Sequence, residues 1–155
     1  MTKLKKEKFK IGDIFSIDLH NGEFAFGRCL TYVEYGHIVE IFDYFSTEET
    51  FEIEAVPLRL FPPILINSYT IFIKKKTGKD WEGNWKVISN DKNFVINDKD
   101  IDNVFFSYGT GPTRFVVNIF GETVGTIDKE EDFKYLPYSP ASDPFIVSKI
   151  LNHKK

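Results

Sequence analysis

Asn21-Gly22 lies between two runs of bulky apolar residues, and this pair constrains the fold more than any other feature of the chain. A two-residue hairpin turn needs φ > 0 at its central positions, which Asn and Gly tolerate best. Asp13-Ile-Phe-Ser-Ile-Asp-Leu19 on one side and Phe24 to Val33 on the other therefore read as paired antiparallel strands. Gly27 inside the second strand predicts a bulge or a close backbone approach. Tyr35-Gly36 supplies the next turn, into His37-Ile-Val-Glu-Ile-Phe-Asp-Tyr44. Three antiparallel strands thus fill the first 45 residues, although the adjacent Ile38 and Val39 leave the register of the third open.

Further along, Ser46-Thr-Glu-Glu49 fits a helical turn or a loop, and Phe51-Glu-Ile-Glu54 alternates as a short strand. Pro57, Pro62 and Pro63 keep their region out of any central strand, because Pro removes ladder donors. Ser68 to Ile73 reads as a strand leading to the basic turn Lys74-Lys-Lys-Thr-Gly-Lys79, and Trp85-Lys-Val-Ile88 as another. Asn103 to Tyr108 and Thr113 to Phe120 bracket Gly109-Thr-Gly-Pro112 as a hairpin, with Gly121-Glu122 turning the chain into Thr123-Val-Gly-Thr-Ile127. The best helix candidate opens at Ser142-Asp143-Pro144, with Ser142 or Asp143 as cap, and puts Phe145, Ile146, Ile150 and Leu151 on one face. Composition agrees with a β-rich chain: 16 Phe, 17 Ile, 10 Val and 10 Thr stand against three Ala, the strongest helix former. The expected fold is mainly β (α+β), a bent antiparallel sheet or partly open barrel with a C-terminal helix. Residues 1–10 are expected as a basic flexible arm, and residues 11–155 as one domain.

Charge is unevenly placed. Residues 1–10 hold five Lys and one Glu, a balance of +4, which leaves −7 for residues 11–155. Three more Lys after position 148 leave −10 for residues 11–148. Between Arg28 and Arg59 there is no Lys or Arg, and Glu34, Glu40, Asp43, Glu48, Glu49, Glu52 and Glu54 fall in that window. An acidic run is a solvated face or a surface for a basic partner. It argues against nucleic-acid binding, which needs a basic face. The lone Cys29 excludes an internal disulfide, and no run approaches the length of a membrane span. Both points, with the lack of an apolar leader run, lead to the expectation of a reducing cytoplasm.

Catalytic and metal chemistry is hard to place. His20, His37 and His153 have no second ligand at metal spacing, so no metal or cofactor is expected. Cys29 sits in a strand and reads as a small buried apolar residue, with His37 the one partner available to it as a nucleophile. Asp13, Asp43 and Asp128 are the carboxylates most easily nominated for hydrolysis, but no pair is singled out. Trp85 reads as core, while Trp81, in a polar turn, is open to core or recognition.

Two segments are similar to a known family. Lys10-Ile-Gly-Asp-Ile-Phe-Ser-Ile-Asp-Leu19 and Gly22-Glu-Phe-Ala-Phe-Gly-Arg28 resemble the opening of the immunity protein 26 family of bacterial polymorphic toxin systems. The stretch from Pro57 to Phe61 and Trp85-Lys-Val-Ile88 follow the order of that family, with Ser89 where a Gly often stands. The resemblance stops near Asn90, leaving residues 91–142 unaligned. It implies a cytoplasmic protein that neutralises a cognate toxin by occlusion, with no catalytic residues and no membrane partner. Asp13 and Arg28 belong to the shared motif and read as structural. The expected toxin contacts are the acidic window named above, with Tyr35 and Tyr44 as anchors. A nuclease toxin, with a basic cleft, suits such an inhibitor. The alternative is a non-enzymatic β-barrel module that binds a protein or peptide unrelated to toxins; the oligomeric state is left open by either reading.

Overall fold

A computed structural model describes residues 3–77 and 80–154. In chain order the elements are β1 (Leu4–Lys6), β2 (Asp13–Asp18), β3 (Phe24–Val33), β4 (Gly36–Ser46), β5 (Ile64–Ile66), α1 (Ser68–Ile71), β6 (Ile73–Thr77), β7 (Asp80–Glu82) and β8 (Trp85–Asn90). They continue with α2 (Asp98–Asn103), β9 (Phe105–Tyr108), β10 (Thr113–Asn118), β11 (Thr123–Asp128), β12 (Leu136–Pro137) and α3 (Asp143–His153). The strands form three open sheets, ordered β5-β4-β3-β2-β8, β11-β10-β9-β12 and β1-β6-β7. The chain is mainly β, with no closed barrel among the described residues and with the expected C-terminal helix.

The five-stranded sheet grows from the two hairpins read in the sequence. Ile14 pairs with Arg28 and Ile17 with Ala25 across the first turn, and Arg28 pairs with Glu40 across the second. Gly27 sits at a register shift between β3 and β4. A Cβ there would lie 2.3 Å from the Glu40 carbonyl oxygen and 2.5 Å from Phe15 Cζ. The Phe15 ring occupies the space a side chain would need, so only Gly fits.

Strand alternation divides the sheet into two faces. One carries Phe15, Ile17, Val39 and Ile41, and packs with Phe72, Trp85, Ile146 and Ile150. Phe15 stacks on Trp85 at 5.2 Å, and Trp85 Nε1–H donates to Asp143 Oδ1 at 2.7 Å, fastening the start of α3 to β8. The other face carries Leu30 and Ile38 against Phe106, Val117 and Ile119 of the four-stranded sheet.

Several local expectations need correction. Leu4–Lys6 is not a free arm: it pairs with β6, and Phe9 stacks on Phe72 at 4.3 Å. Ser68–Ile71 turns as a helix, anchored by Thr70 and Ile71 amides donating to the Asn67 carbonyl, and the strand begins only at Ile73. In place of a strand over 51–54, the chain makes a 3-10 turn at Ile53–Ala55, because Phe51 lies flat on Phe42 with centroids 5.0 Å apart. On α3 the buried residues are Ile146 and Ile150, whereas Phe145 and Leu151 face outward. Ser142 takes the N-cap position without a side-chain bond, leaving Asp143 to serve Trp85. The Trp81 side chain lies outside the described residues.

Candidate functional site

β4 brings most of the acidic window into view and then divides it. The strand runs eleven residues, about 35 Å at the usual rise of an antiparallel strand. Glu34 and Tyr35 stand exposed before its first residue, and Asp43, Tyr44, Glu48, Glu52 and Glu54 stand exposed at and beyond its far end. Between them Ile38 to Phe42 is buried. The window read from sequence is therefore two separated acidic sites.

Glu40 belongs to neither site. It is 4% exposed, and its Oε2 accepts from Arg28 Nε at 3.0 Å while its Oε1 accepts from Arg59 Nε at 2.9 Å. Arg59 grips Asp100 of α2 with both terminal nitrogens, at 2.7 and 2.6 Å. Arg28 reaches Asp91 at 3.2 Å and lies 4.4 Å from the Phe94 ring. Burial opposes the charge on Arg59, but hydrogen bonds and charge from Asp100 and Glu40 outweigh it and raise the guanidinium's proton affinity. Two guanidinium groups and three carboxylates thus clasp β3, β4, the Pro-rich segment, α2 and the turn after β8. Removing one member would strand the others' charge in a water-poor setting, at a cost of about 3–5 kcal/mol.

Asp13 and Arg28 are both structural, yet they do not bond to each other. Asp13 accepts from the Lys10 amide at 2.9 Å and from Asn90 Nδ2 at 2.7 Å, closing the turn before β2 onto the end of β8. Glu49 is half-buried. It accepts from the Ser16 hydroxyl at 2.5 Å and lies 3.7 Å from Lys86, so it anchors the loop after β4.

The far end of β4 also carries an aromatic nest. Phe51 is sandwiched against Phe42 and Phe26, with centroids 5.0 and 5.5 Å away, and Tyr44 meets Phe51 edge-on at 5.8 Å. Sequence reading found Tyr44 but assigned Phe51 to a strand; its signal was the aromatic spacing from Phe42. Near the start of β4, Tyr35 meets Tyr138 at 5.6 Å, Tyr138 meets Tyr108 at 5.6 Å, and Tyr108 stacks on Phe115 at 5.4 Å. Burial, then the charge of Glu34, pushes the Tyr138 phenol up from its ordinary value. This second cluster draws on residues more than 70 positions apart, and no local pattern announces it.

The remaining chemical candidates serve the scaffold. Cys29 is buried, and burial, aided by Asp13, pushes its thiol far above the ordinary range. His37 Nδ1 lies 2.6 Å from the Ser68 hydroxyl, and both side chains are buried. Burial, opposed in part by a bond to the Phe9 backbone, lowers the His37 pKa to about 4. A cavity of about 840 Å³ opens beside this pair, between the N-terminal strand segment and Tyr32 and Tyr69. Among the described residues, no group of three or more His, Cys, Asp or Glu is placed to hold a metal ion, and no helix is long and apolar enough to cross a membrane.

A family model for immunity protein 26 matches residues 10–116, well past the point near Asn90 where the motif resemblance stops. The matched span includes the whole Arg28–Glu40–Arg59–Asp100 clasp and ends within β10. No curated protein and no solved structure matches the chain significantly.

Proposed function

Since the chain belongs to the immunity protein 26 family, we propose that it neutralises one cognate bacterial toxin domain in the cytoplasm by binding and occluding it, without catalysis of its own. The family match is the observation that carries this reading. The geometry adds a division of labour. The buried ion clasp lies inside the matched span, which supports a structural role for it, and the exposure of Asp43, Glu48, Glu52 and Glu54 supports a role in meeting the partner. Carboxylates at this density attract a basic protein over a distance of a Debye length, about 8 Å at physiological salt, and raise its encounter rate. A toxin with a basic active-site cleft, such as a nuclease, has the complementary charge. Tyr44, half-exposed over the Phe51 nest, offers the amphipathic anchor that interfaces favour.

Growth of cells expressing a candidate toxin domain from a neighbouring open reading frame tests the proposal. Co-expression of the wild type restores growth, and reversal of Asp43, Glu48, Glu52 and Glu54 to Lys reduces that rescue. Failure of the wild type to rescue growth, with both proteins present and folded, would contradict the reading.

A further inference from the structure

A 3-10 turn over Lys129–Lys134 leaves Phe133 82% exposed, more than any other aromatic side chain among the described residues. The ring is one wall of a cavity of about 430 Å³, and Tyr108, Tyr135, Tyr138 and Asp132 are others. Among the described residues, no Lys, Arg or His lines this cavity. Backbone pairing fixes the walls before any partner arrives. Pro137 of β12 pairs with Ser107 of β9, the Tyr138 amide donates to the Ser107 carbonyl at 3.0 Å, and the Tyr135 amide donates to the Asp132 carbonyl at 3.1 Å. Tyr138 and Tyr108 meet at 5.6 Å, so their rings share one corner of the cavity.

The chemistry of the walls chooses the occupant. Aromatic faces carry partial negative charge and attract cations. Asp132 adds a full charge: its Oδ1 accepts from the Ser107 hydroxyl and its Oδ2 lies 3.4 Å from Arg114 Nε, a long bond. That uses two of the roughly four acceptor positions of a carboxylate. Arg114 stays outside the cavity lining, with Nη1 donating to the Gly111 carbonyl. Lys134 pairs with Glu131 at 3.7 Å and stands 6.0 Å from the Phe133 ring, the outer limit of a cation contact. At the Tyr138 phenol, burial and then the charge of Glu34 both raise the proton affinity, so the local field is negative. An anion would be repelled here, and an apolar guest would cover Asp132 without a partner for its charge. A guanidinium group satisfies both kinds of wall, since it stacks on rings and forks onto a carboxylate.

We infer that this aromatic cavity receives an arginine side chain of the toxin. The inference rests on the toxin-binding reading and names a part of the partner. It also gives the acidic start of β4 a place, because Tyr35 meets Tyr138 at 5.6 Å and brings Glu34 to the same corner. Carboxylates near Tyr44 speed encounter, and the seated arginine sets how long the complex lasts.

Acetyl-arginine amide and its neutral isostere acetyl-citrulline amide test this on the full chain without the toxin, followed by aromatic NMR shifts. The arginine compound binds about tenfold more tightly, and its shifts concentrate on Tyr108, Phe133, Tyr135 and Tyr138. Phe133→Trp, which offers a stronger face to a cation, tightens that binding, and Phe133→Leu, apolar without a ring, weakens it. Both variants melt near the wild-type temperature, because the side chain they change is exposed. Equal binding of the two compounds, no shift at these rings, or Trp and Leu variants that bind alike overturns the proposal. So does tetramethylammonium that displaces the arginine compound at lower concentration, since the cavity would then suit a small quaternary ammonium. With a toxin domain that the wild type rescues, Phe133→Leu dissociates about tenfold faster. If the compounds fail to discriminate while rescue persists, the arginine site is wrong and the immunity reading stands. If discrimination appears without rescue, the immunity reading is the one that fails.

Discussion

Glu40 and Glu48 belong to one acidic run of the sequence and stand in opposite surroundings. Glu40 is clamped between two guanidinium groups at 2.9 and 3.0 Å, beneath α2 and Phe94. Glu48 stands in water with only its backbone amide tied, to Ser46 Oγ at 3.0 Å. Burial is the difference: a carboxylate without water must be fully bonded, and one in water is free to meet a partner. A run of like charges is therefore not a surface until the strand alternation beneath it is known.

The largest effect that would break the comparison is at the clasp. Glu40→Ala is expected to lower unfolding free energy by about 3–5 kcal/mol in urea titration, because Arg28 and Arg59 lose their shared acceptor. Glu48→Ala in the same assay is expected to change it by less than about 0.5 kcal/mol, as is usual for an exposed side chain. Equal losses at the two positions would erase the distinction between scaffold and surface.

A smaller effect sharpens the account of the buried side. His37 is neutral in the folded chain down to about pH 4, against an ordinary value of 6.5. The unfolded chain takes up a proton through that interval and the folded chain does not, so stability falls as pH drops from about 6.5 towards 4. His37→Gln, which keeps a polar partner for Ser68, is expected to flatten the melting temperature over this window. An unchanged slope would show that other groups set it.

Much of the five-stranded sheet was legible because its turns are chemically explicit. Tyr35-Gly36 closes the second hairpin as read, whereas the first closes through the Leu19 amide donating to the Glu23 carbonyl, with positive φ at His20 and Gly22 and not at Asn21; Gly27 marks the point where Phe15 crosses the backbone. α3 was legible from Ser142-Asp143-Pro144. α1 was not, because Tyr69, Thr70 and Ile71 prefer strands and only four residues turn. α2 hid for a related reason: Asn97 caps it through the Asp100 amide, but Ile101 is its sole large apolar residue. At the site, Glu34, Tyr35 and Tyr44 stand exposed, while Glu40 is buried and Glu49 is half-buried against Ser16. Ile38 and Val39 sit side by side at the start of β4, so the alternation that buries Glu40 has no unique phase in the sequence. The Tyr138, Tyr108 and Phe115 cluster depends on the pairing of β9 with β10 and lies beyond local reasoning.

The central claim is that exposed and clasped carboxylates of one run have separate duties, partner encounter and folding. Stopped-flow association with the toxin domain that the chain rescues, over a range of salt concentrations, tests it most directly. The wild type should associate about tenfold more slowly as salt rises from low to several hundred millimolar. The Asp43, Glu48, Glu52 and Glu54 to Lys variant should fold normally and associate slowly at low salt, without that decline. Parallel salt dependence for the two proteins would contradict the claim.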